Sequence, residues 1–349
     1  MRKLQLGLLL LATFLLSSCG GEETQSAGNR STEWSIPASE VFDGGVGQDG
    51  IPSINQPNFS SVGDINFLTD DDLVVGVIIN GVAKAYPHPI LDWHEIVNDE
   101  IGGMSVAVTY CPLTGTAVGW DRTVNGQNVS FGVSGKLFNT NLMPFDRTTN
   151  SYWSQLGLNC VNGEWINTEI NFVPMIETTW ATWKMAYPDS EVLNTDTGIS
   201  RPYDEYPYGD YITNHDNIFF PVSLLDQRLP SKERVLGVIG DSLDIAYRLT
   251  TFREDQVITD QLEGTELLII GSQSNNFVLA YENNLGLTDV SSVPNSLPVV
   301  AQSSDGNRIT MDGQIIEGPL AGQSLSPTRS WIGYWMSFGS FYPGIEIYE

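Results

Sequence analysis

MSVAVTYCPLTGT, Met104 to Thr116, is the stretch from which the fold is read. Met104, Val106, Val108 and Tyr110 alternate with the smaller Ser105, Ala107, Thr109 and Cys111, the period of two that a strand imposes. Pro112 to Gly115 then break the run with turn residues, so a thiol stands where a strand ends. Upstream, Leu73 to Asn80 and Ala83 to Tyr86 flank Asn80-Gly81 and predict a hairpin. Pro89 opens a predicted helix with Ile90, Trp93, His94, Val97 and Ile101 on one side and Asp92, Glu95 and Asp99 opposite. Downstream, Asn125-Gly126 predicts another hairpin, Ser134 to Asn150 reads as a loop, and Thr178 to Ala186 reads as a helix with Trp180 and Trp183 on its stripe.

Laid against itself, the chain aligns Val74–Arg122 with Val235–Asn283 and Tyr152–Leu193 with Asn307–Tyr348, both without gaps. Each second block ends in aromatics followed by Tyr-Pro, at Tyr187-Pro188 and Tyr342-Pro343. The expectation is an α+β fold of two tandem, diverged β-rich units, each closing with an aromatic helix. The boundaries are a signal peptide (1–18), a flexible lipoprotein tether (19–40), a first unit with the candidate site (41–197), an acidic Tyr-rich connector (198–233) and a second, degenerate unit (234–349). Across the alignment Cys111 faces Ser272 and His94 faces Asp255, which confines the chemistry to the first unit.

Arg2 and Lys3 precede an apolar run from Leu4 to Leu16, and Leu16-Ser17-Ser18-Cys19 follows as a lipobox. Acylation of Cys19 would tether the protein to a membrane by lipid, and Gly20-Gly21, with no Asp after the cysteine, points to the outer membrane, facing the periplasm or the cell surface. The 349 residues carry a formal charge of -26, which argues against phosphate backbones, so no nucleic acid partner is expected.

A thiol acts as nucleophile or metal ligand in its thiolate form, which a nearby imidazolium or a set of backbone N–H groups favours. Cys111 and His94 therefore suit either a Cys–His nucleophile, with Asp92, Asn141 or Asp146 as the orienting third group, or a soft-metal site for copper or zinc completed by His88 and Met143. The bland alternative makes His94 a satisfied core histidine and Cys111 a small buried apolar group. Cys111 and Cys160 could also pair, because the compartment permits disulfides. Tyr203, Tyr206, Tyr208 and Tyr211, in RPYDEYPYGDY, suit either a glycan or the packing of the connector, and a non-catalytic envelope module binding a glycan or a protein is the third reading of function.

The stretches GGVGQDGIPSINQPNF, VAKAYPHPILDWHEIVND, TYCPLTGTAVGWDR, FGVSGKLFNTNLMPFDRTTNSYWSQ and FFPVSLLDQRLPSKERVLGV resemble a bacterial family catalogued as domain of unknown function 3179, from about Phe42 to the C-terminus. HEIVND and TYCPLTG are signatures of that family, which implies that His94 and Cys111 hold its hallmark positions. The resemblance brings no activity with it. Cys160, in SQLGLNCVNGEW, lies where this chain departs from the expected pattern.

Overall fold

The computed structural model describes residues 33–349. The leader, Cys19 and the tether up to residue 32 lie outside the described residues. From Glu33 on the chain is docked: Trp34 stacks on Tyr152 with ring centroids 5.7 Å apart, and the Ser35 N–H donates to Val161 O at 2.9 Å.

Among the described residues strands account for 41% and helix for 9%. Among the described residues they form seven sheets of two to five strands and three α-helices, α1 (His88–His94), α2 (Trp180–Ala186) and α3 (Trp335–Phe341). Helices of about two turns cannot make a layer of their own. The α+β expectation is therefore corrected to a mostly β fold.

The expectation of two tandem units is corrected as well, because the halves do not own separate cores. Cys111, Trp120, Phe131 and Trp153 pack in one cluster with Val235, Trp331, Tyr334, Trp335 and Phe338. Conversely Val74, Trp180 and Trp183 share a cluster with Leu268, Ile270, Leu279 and Ile309. Each half buries apolar surface that the other exposes when alone, and a buried tryptophan removes some 150–250 Å² from water.

The Asn80-Gly81 hairpin forms as read. Leu73–Ile79 pairs antiparallel with Val82–Pro87, and the two turn residues take φ of 51° and 78°. α1 follows at once but ends at His94. Glu95 caps it with φ 57°, a left-handed backbone that throws the chain into the strand Ile96–Ile101. That strand pairs with Met104–Cys111, which pairs in turn with Thr116–Asp121. Asp92, Glu95 and Asp99, expected on a wet helical face, are all buried. Asp99, no longer helical, accepts from Lys84 Nζ at 2.9 Å and Tyr86 OH at 2.6 Å.

The stretch read as a loop from Ser134 is also strand. Phe131–Phe138 pairs with Asn141–Asp146, with a bulge between Val133 and Lys136. Gly135 sits in that bulge at φ 73°, and a Cβ there would come within 2.7 Å of the Gly47 backbone. Its glycine marks a bend in a strand. α2 starts two residues later than expected, with Thr179 Oγ1 accepting from the Thr182 N–H as its cap.

Candidate functional site

Cys111 ends its strand opposite Thr116 and is 1% exposed. Its Sγ donates to Thr140 O at 3.7 Å. The turn after it is fixed by a buried polar network. Asn141 Nδ2 donates to Thr114 Oγ1 at 2.9 Å and to Gln155 Oε1 at 2.6 Å, and Gln155 Nε2 donates to Thr109 Oγ1 at 3.0 Å. Two tyrosines close over the turn. Tyr211 OH donates to Leu113 O at 2.9 Å, and the Tyr334 N–H donates to Thr114 O at 2.8 Å. Gly115 is held at φ 58°, where a Cβ would lie 2.9 Å from the Tyr334 ring. Burial, and next the carboxyl of Glu95, push the Cys111 thiol up to about 11. A thiol so held is a poor nucleophile at neutral pH.

His94 does not serve Cys111. Its Nδ1–H donates to Pro52 O at 2.7 Å, which leaves Nε2 to accept from Tyr203 OH at 2.7 Å. Burial lowers its pKa, so the ring is a satisfied neutral imidazole. The neighbour that bears on the Cys111 thiol is the next residue, Glu95, whose carboxyl disfavours a thiolate there. Met143 packs apart, with Phe145, Tyr152 and Val161, and His88 faces Glu177. The four proposed ligands Cys111, His94, His88 and Met143 are thus dispersed, and among the described residues no group of three or more His, Cys, Asp or Glu is placed to hold a metal. Cys111 and Cys160 are both free. Of the suggested third groups, Asn141 belongs to the turn network, while Asp146 accepts from the Ser151 N–H and Trp153 Nε1.

What the structure does assemble is a cavity of about 450 Å³ between α1, the connector and the first residues of the carboxyl half. His88 and Asp92 enter from α1, Glu177 from the strand Ile176–Thr179, Tyr206 from the connector, and Arg234 and Tyr334 from the strands Arg234–Ile239 and Ser330–Tyr334. Arg234 ion-pairs with Glu177 Oε1 and also donates to Asn276 Oδ1 at 2.9 Å. His88 Nε2 lies 3.4 Å from Glu177 Oε2, and its ring centroid is 4.5 Å from that of Tyr110. Burial alone would raise the Glu177 pKa, but Arg234 and His88 together hold it below the usual carboxylate value. Asp92 goes the other way: burial, then the neighbouring Glu95, raise it well above the usual value. Glu177 as a carboxylate and Asp92 as a carboxylic acid therefore stand in the same cavity at neutral pH.

The cavity is marked by polar atoms without partners. Among the described residues eight buried side-chain N or O atoms lack a hydrogen bond, and four of them, His88 Nε2, Asp92 Oδ1, Glu177 Oε2 and Tyr206 OH, belong to residues lining this space. His88 Nε2 and Glu177 Oε2 attract each other without hydrogen-bond geometry, whereas Asp92 Oδ1 and Tyr206 OH have neither a hydrogen bond nor an ion pair. Buried polar atoms are rarely left so, because each costs about 1–3 kcal/mol.

The connector forms the cavity's outer wall. Trp93 Nε1 donates to Glu205 O at 3.1 Å and Tyr208 OH to Glu95 Oε1 at 3.4 Å, so successive connector residues are tied to α1 and its cap. Lys232 holds the far end, donating to Asn214 O at 2.7 Å and Asn217 O at 2.6 Å. Of the four connector tyrosines, Tyr203 and Tyr206 line the cavity, while Tyr208 and Tyr211 pack beneath it. Sequence reasoning missed Glu177, Arg234 and Tyr334, and it placed Glu95 on a solvated face. The one local signal for Glu95 was its place next to His94 in HEIVND.

No curated protein and no solved structure matches the chain. A family model described as "Protein of unknown function (DUF3179)" matches residues 48–345, most of the chain, and the protein belongs to that family.

Proposed function

We propose that the protein is a lipid-anchored envelope protein whose cavity between α1, the connector and Arg234 binds a small, hydroxyl-rich ligand such as a sugar. Anchoring rests on the lipobox at Leu16–Cys19. Binding rests on one observation, the convergence of unpartnered polar atoms on a single cavity. These atoms include both donors and acceptors, and a hydroxyl group is at once a donor and an acceptor. The rings of Tyr110, Tyr203, Tyr206 and Tyr334 add apolar faces for the C–H side of such a ligand. A strongly anionic ligand does not suit a wall that also carries Asp71, Asp72, Asp204 and Glu205. A nucleophilic role for Cys111 is disfavoured by its buried, protonated thiol.

The test is calorimetric titration of the mature protein with neutral mono- and disaccharides, repeated for Tyr206→Phe and Asp92→Asn. Each substitution should weaken binding about tenfold, the worth of one hydrogen bond to a buried partner. In the free protein, Tyr206→Phe should raise the melting temperature, because it removes a buried hydroxyl that has no partner. No saccharide binding, together with a lowered melting temperature for Tyr206→Phe, would count against the cavity as a ligand site.

A further inference from the structure

Building on the reading that this cavity takes a hydroxyl-bearing ligand, we infer that it also moves protons on that ligand, with His88 as base, Asp92 as acid, and a small α-hydroxy carbonyl compound, such as an open-chain reducing sugar, as substrate. His88 and Asp92 stand four residues apart on α1, so their side chains share one face of the helix. Both are more than nine-tenths buried and both line the same cavity. Beside His88, the Glu177 carboxylate is fixed by Arg234 with its Oε2 3.4 Å from His88 Nε2, so its charge attracts the imidazole from that side. Opposite, the Asp92 carboxyl and the Tyr206 hydroxyl are without partners, ready to meet a substrate oxygen.

The chemistry needs no co-reactant. His88 takes the proton from the carbon next to the carbonyl, and the C–H electron pair becomes the C=C bond of an enediol. The carbonyl π pair moves onto oxygen, which takes the proton of Asp92. In the return step the Asp92 carboxylate removes the proton from the second enediol oxygen, and His88 delivers its proton to the former carbonyl carbon. The product is an isomer of the substrate, and both side chains regain their starting states.

Glu95, one turn further on, acts through Asp92 and is a positioning residue. Asp92 is faced by Glu95 from the cap of its own helix, Tyr110 from the strand Met104–Cys111, Tyr206 and Tyr208 from the connector, and Tyr334 from the strand Ser330–Tyr334. Burial and the Glu95 carboxyl keep Asp92 protonated, the state that an acid catalyst needs.

The experiment incubates the intact protein in D₂O with D-glyceraldehyde, D-ribose or D-glucose. Loss of the C2 proton signal is followed by NMR, and binding of each probe is measured alongside by calorimetry. Protein-dependent exchange should fall at least about 100-fold in His88→Gln and in Asp92→Asn, while binding changes far less. Glu177→Gln leaves both proton-carrying groups in place and should slow exchange by freeing the His88 ring, which guards against misfolding of the direct variants. Glu95→Gln should keep exchange but move its alkaline limb to lower pH, since Asp92 then loses its proton more easily; a role for Glu95 in packing alone would leave the limb in place. Binding of a probe without exchange would overturn the proton-transfer assignment and leave the binding site standing. No binding of any probe would overturn both.

Discussion

Two hairpin ends, one in each half of the molecule, differ in what surrounds them. The first joins Met104–Cys111 to Thr116–Asp121, and the second joins Thr265–Ser272 to Phe277–Glu282. Each is seated by the other half. Thr114 O accepts from the Tyr334 N–H just before α3, and Asn275 O accepts from Thr178 and Thr182 around the start of α2. Each also ends in a left-handed residue, Gly115 at φ 58° and Asn276 at φ 52°. The second end satisfies itself, since Ser272 Oγ accepts from the Asn275 N–H at 3.1 Å and from Asn275 Nδ2 at 2.9 Å. Beside the first end lie Glu95 and Asp92, whose carboxyls are buried and held uncharged, and a cavity with unpartnered atoms. Comparing Cys111 with Ser272 alone points to this end of the molecule and is silent about the carboxyls around it. The distinction lies in unsatisfied polar groups around the turn, and the thiol is part of the packing.

The comparison breaks most visibly at the left-handed residues. Gly115→Ala should cost about 3 kcal/mol or more, combining the left-handed penalty with a collision against Tyr334. Asn276→Gly should cost under about 1 kcal/mol, because only its hydrogen bond from Arg234 is lost while the backbone is relieved. Urea unfolding of both variants measures the contrast, and equal losses would mean that the two turns are equally tolerant.

Glu95 separates the halves by pH. Burial raises its carboxyl to about 8, against an ordinary value near 4.3 in an unfolded chain. Below that lower value both states hold the proton and the contribution is at its maximum. Between about pH 4.3 and 8 the unfolded chain releases a proton that the folded chain keeps, so stability falls as pH rises, by up to about 1.4 kcal/mol per pH unit. Above pH 8 the slope from this residue vanishes. Glu95→Gln should remove the slope from that window. The aligned position in the second half already carries Gln256, which is half-buried, so Gln256→Glu should introduce no comparable slope. Unfolding free energies measured from pH 5 to 9 decide between these outcomes.

The parts of this arrangement legible in the sequence are those written in short-range pattern. The alternation of Met104 to Cys111 and the paired positive φ of Asn80-Gly81 are local, and both elements formed as read. Ile96–Ile101 was hidden because its apolar residues also fit helical spacing, and only the left-handed Glu95 separates the two elements. The strand Phe131–Phe138 was read only as far as Val133, because a bulge at Gly135 interrupts its alternation. The same left-handed step explains the error at the site. A helix continued through 95 would place Glu95 on the face away from His94, whereas the reversal sends His94 to Pro52 and Tyr203 and buries Glu95 where its carboxyl raises the thiol's pKa. Glu177 and Arg234 are 57 positions apart and meet only because the halves share a seam, a contact without local signature. The tandem reading failed for the same reason, since alignment reports similar segments and is silent about which segments share a core.

The smallest effect tests the place of the thiol itself through reciprocal exchange. Cys111→Ser puts a smaller hydroxyl in an apolar cluster where Thr140 O is the one hydrogen-bond acceptor of the thiol, and should cost about 1–2 kcal/mol. Ser272→Cys should cost a similar amount, about 1–2 kcal/mol, by weakening the acceptor of two Asn275 donors. With the Cys111 thiol held at about 11, roughly one molecule in ten thousand carries a thiolate at pH 7, so alkylation in the native state should be as slow as unfolding allows. If Cys111 is packing, its serine variant loses stability and keeps ligand affinity, while Asp92→Asn loses affinity. The opposite pattern, with affinity lost at Cys111→Ser and stability unchanged, would return the thiol to the centre of the site, because a group that only fills space cannot be removed without loosening the packing around it.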